Sequence, residues 1–262
     1  MADEKLQLER KKKERYLALG ENRGHKEAEE LWHRLQRGIY IKDFVYGAND
    51  GIVTTFAVVS AAAGAALSPG VVIILGLANL LADGFSMGAS NFLSLRSGKE
   101  FMRMQRGKEE WEVENFPEIE KEEIRDILRA WGVPRGSIEP STTAIVQDKK
   151  RWVDLMMKEE LHILEEDAAN PIKHGIATFL AFLVAGAIPL VPYLFEFSSY
   201  IQFELSILFA VLAFFAVGAS RTFVTGASPW KAGLEILLVG GFAAMVAYAA
   251  GWGIKALFGI VI

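Results

Sequence analysis

The chain contains no cysteine, which excludes disulfides, thiolate metal sites and a cysteine nucleophile. From Gly51 to Ala82 it contains no Asp, Glu, Lys or Arg, and a second stretch without formal charge runs from Gly175 to Phe195. Nothing near the start reads as a cleavable leader, because residues 1–40 are highly charged and lack an early apolar core. No aromatic interleaving or known module accompanies the basic cluster Arg10-Lys11-Lys12-Lys13, so it reads as a solvated tail and nucleic acid is not an expected partner.

What is present is divided. Hydrophobic residues make up 52% of the 262, yet 23% are charged, a balance suited to a chain shared between membrane and water. Each half of the stretch 41–95 approaches the ~20 apolar residues a bilayer-spanning helix needs, and the halves meet at Ser68-Pro69-Gly70. Further spans are expected over 175–195, over 205–220 with a few residues before it, and over 231–255. The predicted fold is therefore an all-α membrane protein with five transmembrane helices. A three-helix insert separates spans 2 and 3, with helices at 97–114, 118–131 and 148–168 and a loop at 132–147.

Four regions follow: an N-terminal segment at 1–40, a hairpin at 41–95, the insert at 96–170 and spans 3 to 5 within 171–262. Leu31, Leu35 and Ile39 recur every fourth residue, as on a helix lying at a membrane surface. Apart from Lys255, the basic residues cluster in or beside the N-terminal segment, the insert and the 221–231 loop, whereas the turns at 67–70 and 191–203 have none. The positive-inside rule places the first three in the cytoplasm and the C-terminus on the far side. With no sorting signal apparent, a prokaryotic cell membrane is the expected home.

Polar residues inside the hairpin carry the chemistry. Asp43 and Asp50 are seven apart and share a helical face, as do Asn79, Asp83 and, less closely, Met87. A carboxylate in hydrocarbon costs at least ~2.5 kcal/mol, so such residues should face a protein interior or a water path. In the insert, Glu109 and Glu112, and likewise Glu120 and Glu123, are spaced to project from one helical face, and Met156, Met157 and Glu160 can converge on another. Carboxylate oxygen with thioether sulfur favours a transition metal such as Fe(II) over Mg or Ca. The same glutamates also suit a solvated helix face, and the methionine pair suits core packing.

The segments DFVYGANDGIVTTFAVV, GLANLLADGFSMGASNFLS, RWVDLMMKEEL and NPIKHGIATFLAFLVAGAIPLVPY, in that order around a glutamate-rich insert, resemble the vacuolar iron transporter family over about residues 40–258. The resemblance implies a dimer of five-span protomers with a cytoplasmic metal-binding domain. It also implies a proton-coupled antiporter that exports Fe(II), and in some members Mn(II), from the cytosol. Metal and protons are then substrates, no prosthetic group is expected, and the protein is not an enzyme. On this resemblance the family's intramembrane aspartate falls on Asp50 and its methionine on Met87. Its metal-domain ligands fall on Glu109, Glu112, Glu120, Glu123, Met156, Met157 and Glu160. Asn79 departs from an expected glutamate, with Asp83 one turn on. A reading from another class is a ferritin-like di-iron oxidase or storage site, built on Glu30-x-x-His33 and Glu159-x-x-His162.

Overall fold

The computed structural model describes residues 40–163, 170–222 and 228–259, and among these it is helical without strands. The helices are α1 (Ile41–Gly64), α2 (Pro69–Asn115), α3 (Pro117–Ala130), α4 (Arg135–Val146), α5 (Lys149–Glu159), α6 (Pro171–Ala187), α7 (Ser199–Ser220) and α8 (Pro229–Phe258). A 3-10 segment, Ile188–Leu194, continues α6. The amphipathic segment expected within 1–40 lies outside the described residues, apart from Tyr40. Among the described residues four helical stretches are long and apolar enough to cross a membrane: α2, α6 with its 3-10 continuation, α7 and α8. They make this an integral membrane protein. The expected first span, α1, carries Asp43, Asn49 and Asp50 and is not among the four.

The described chain divides into two compact units, one of residues 1–87 with 177–262 and the other Gly88–Ile176. In the first, α1 packs on α7, α8 and the 3-10 segment. Its buried stripe of Ala48, Ile52, Phe56 and Val59 follows the helical period, so one face meets the core continuously. Small residues let backbones touch. A Cβ on Gly51 would lie 2.4 Å from the carbonyl oxygen of Phe182, and one on Gly251 would lie 2.0 Å from that of Ala61. In lipid such close approach replaces the hydrophobic effect as the source of helix association. Pro189 and Pro192 cannot continue the α-helical hydrogen-bond ladder, and α6 tightens into the 3-10 segment there. Ser206 donates to the freed Pro189 carbonyl at 2.7 Å, and Gln202 Nε2 donates to that of Phe195 at 2.8 Å.

The second unit has its own core of Val113, Ile124, Leu128, Ile138, Trp152, Val153, Met156 and Met157. Here the structure corrects the three-helix expectation. The helix expected over 97–114 is the far part of α2, continuous with the expected second span. The expected loop at 132–147 contains α4, in spite of Pro140 inside it. Ile138, Thr142 and Ile145 fall on one helical face and are buried or partly buried, so packing outweighs the hydrogen bond lost at the proline. The helix expected over 148–168 ends at Glu159. Its start was legible: Asp148 caps it, accepting from Lys150 N at 3.0 Å and Arg151 N at 3.3 Å. Between α3 and α4, Gly132 adopts φ 75°, with Val133 N bonded to Leu128 O and Gly132 N to Arg129 O. This is a Schellman ending, which needs a left-handed residue where only glycine is unstrained.

Candidate metal centre

The acidic cluster of the second unit is assembled from three elements. Glu109 comes from the polar part of α2, Glu120 from the first turn of α3 and Glu160 from the residue that closes α5. One carboxylate oxygen from each lies within 4.8 Å of the other two. Glu109 is 1% exposed and Glu120 5%, while Glu160 is open to solvent.

Two observations separate this cluster from an ordinary acidic surface. Among the described residues, no hydrogen-bond partner reaches either oxygen of Glu109 or the Oε2 of Glu120. A buried carboxylate without a donor is costly, because lost hydration is not replaced. Secondly, lost hydration, full at buried Glu120 and partial at the more open Glu160, followed by the charge of Glu123 and then of Glu109, pushes both up to about 7. A divalent cation would remove both penalties at once, replacing protons and supplying the missing partner. Three carboxylates form a hard to borderline oxygen site suited to a divalent ion.

The other expected ligands are placed differently. Glu112 accepts an ion pair from Lys108 at 3.2 Å and is not one of the converging three. Glu123 is half-buried, and its charge is felt at Glu120 and Glu160. Met156 and Met157 are fully buried members of the apolar core. A framework of ion pairs holds the elements: Arg106 of α2 bridges to Asp154 of α5, Lys149 reaches Glu114, and Arg125 of α3 binds Glu139 of α4 at 2.8 Å.

In the first unit Asp43 is buried, Asp50 and Asn79 are half-buried, and Met87 packs partly buried against the apolar core. Asp83 is exposed on this chain. Sequence reasoning missed Thr54. Its hydroxyl donates to the Asp50 carbonyl at 2.9 Å and accepts from Asn79 Nδ2 at 3.4 Å. The signal was a hydroxyl one helical turn after a polar residue. Glu235, without an assigned part before, pairs with Arg221 at 3.2 Å across the facing ends of α7 and α8.

The di-iron reading gains nothing from these positions. Glu159 pairs with Lys158, His162 is exposed, and neither belongs to the converging three. Glu30 and His33 lie outside the described residues.

The chain is similar to several known proteins. A vacuolar iron transporter of Toxoplasma gondii is 35% identical over 221 residues, 81% of this chain and 73% of its own length. One from Plasmodium falciparum is 32% identical over 243 residues, 86% of this chain and 89% of its own. Vacuolar iron transporter 1 of Arabidopsis thaliana is 26% identical over 211 residues, 80% and 84% of the two chains. These relatives give no support to the expected prokaryotic membrane. The family profile described as "VIT family" matches residues 41–252, and the chain belongs to that family.

Proposed function

We propose that this protein is a proton-coupled transporter that exports Fe(II), and Mn(II) as a chemically similar ion, from the cytosol. The observation that carries the metal reading is the convergence of Glu109, Glu120 and Glu160, with three buried carboxylate oxygens lacking any partner among the described residues. Relatives named as iron transporters support iron as the cargo. In this reading the cluster gathers metal in the cytoplasm, with Glu112 and Glu123 beside it adding negative charge and Met156 and Met157 shaping the core that holds it.

The ion then crosses along Asp43, Asp50, Asn79, Asp83 and Met87. The Asp50 carboxyl can hold either a proton or a cation, so metal and proton exchange at one site. In the topology that follows from the basic residues, α1 is the first of five spans and the insert is cytoplasmic. Asp83 is exposed on α2 between Leu81 and Phe85, which are also exposed. A carboxylate facing lipid is costly, which supports a homodimer whose second copy covers this face.

The test is Fe(II) flux into anaerobic proteoliposomes with an internal pH dye. Uphill metal movement driven by an imposed pH gradient is the expected result. Asp50→Asn, which keeps shape but cannot ionise, should abolish it. Metal flux that ignores the gradient would make the protein a channel, and oxygen consumption without flux would make it an oxidase.

A further inference from the structure

Thr54 sits one turn beyond Asp50 on α1, and its hydroxyl has a single proton and two lone pairs. The proton is committed to the Asp50 carbonyl at 2.9 Å, so the contact with Asn79 at 3.4 Å has Asn79 as its donor. The bonding is thus directional: Asn79 to Thr54 to the main chain of Asp50. The neighbouring Thr55 is fully buried and its hydroxyl has no partner among the described residues. A hydroxyl bonded to the carbonyl four residues back bends the helix at that turn. Beside it on α1, Gly47 and Gly51 abut the backbone of α6, where an added Cβ would fall 2.4 Å from the carbonyls of Thr178 and Phe182. The turn that carries Asp50 is therefore held both by backbone contact with α6 and by a side-chain relay from α2.

We propose that Thr54 and Asn79 are positioning residues that set the orientation of Asp50 for the passing cation. The inference rests on the reading of Asp50 as the intramembrane cation site. Asn79 acts through its donor amide and needs no charge to do so.

The experiment is Fe(II) flux as a function of metal concentration, with the full chain in proteoliposomes, alongside melting temperatures in detergent. Thr54→Val keeps the shape and removes the hydroxyl. It should raise the half-saturating Fe(II) concentration about 5- to 10-fold, the order of one net hydrogen bond, with the melting temperature little changed. Thr54→Ser should restore the wild-type value. Asn79→Leu should reproduce the Thr54→Val rise, and the double variant should be no worse than either single one, since both break the same relay. If Thr54→Val does not fold, Thr54→Ala, which also removes the hydroxyl and suits a helix, takes its place. Unchanged half-saturation in a folded variant, failure of serine to restore it, or multiplying effects in the double variant would overturn the proposal. No Fe(II) flux in the unsubstituted protein would instead defeat the transport reading on which the proposal rests.

Discussion

Glu109 and Glu120 are buried side by side, with both oxygens of Glu109 and Oε2 of Glu120 lacking a donor among the described residues, and as two anions they oppose the fold that contains them. Neutralising one should help the metal-free protein and harm the loaded one. Glu120→Gln is expected to raise the melting temperature without metal and to weaken divalent metal binding about 10- to 100-fold, the range for losing a charged partner. Calorimetric titration of the full chain in detergent measures the second effect, and unchanged affinity would return the cluster to an acidic surface. The pH dependence follows with its sign. Glu120 and Glu160 titrate near 7 when folded, above the ordinary 4.5, so the folded metal-free protein holds more protons than the unfolded chain between those values. Stability from this source is complete below about 4.5 and is lost as pH rises through 7. Metal affinity runs the other way and tightens up to about 7, because protons compete for the same oxygens. Melting curves at pH 5 and pH 7.5, with and without Mn(II), should show metal stabilising far more at the higher value. At this scale helical spacing marked the face-sharing pairs Glu109 with Glu112 and Glu120 with Glu123, whereas the meeting of Glu109, Glu120 and Glu160 joins three helices and was implied only by the family resemblance. Neither separated these three from Glu112, since spacing says nothing of which carboxylate a lysine will claim.

Helices were legible wherever one signal dominated. The apolar runs expected for the second and later spans coincide with α2, α6, α7 and α8, and the expected helix over 118–131 closes with α3, where Gly132 turns the chain. The hidden element was α4. Its prolines and hydroxyl residues read as loop, and only the Ile138, Thr142, Ile145 stripe opposed that reading, a pattern too short to outweigh two prolines before the partner core is known. Nor does composition alone show that α2 continues unbroken from apolar into charged sequence, because helix propensity is indifferent to that change. A steric prediction belongs here. Gly51→Ala would push a methyl group against the Phe182 carbonyl, with backbone on both sides. It should destabilise the protein by about 1–3 kcal/mol, or more if α1 cannot shift, as overpacking does. Thermal unfolding in detergent checks it, and an unchanged midpoint would show that α1 and α6 have slack.

For the molecule as a whole, the orientation inferred from basic residues can be tested directly because the chain has no cysteine of its own. Pro140 is exposed on α4, and Pro140→Cys should react with an impermeant thiol reagent only after cells are opened. Labelling of intact cells would reverse the topology. The glycine contacts of α1 have a mechanical consequence. At Gly47 and Gly51 this helix rests on the main chain of α6, and at Gly64 and Gly251 it meets that of α8. Peptide groups in van der Waals contact cannot rearrange as rotamers do, so α1, α6 and α8 form a chassis. Before Gly88, α2 meets the same block through side chains, Gly76 against Leu190 and Gly84 against Phe182 and Phe179, whereas at Gly88 its main chain abuts Gly175 of α6. Compliance is therefore concentrated in the part of α2 before Gly88. Paired spin labels should keep one fixed separation between α1 and α8 through a transport cycle, and show a second population between α1 and α2.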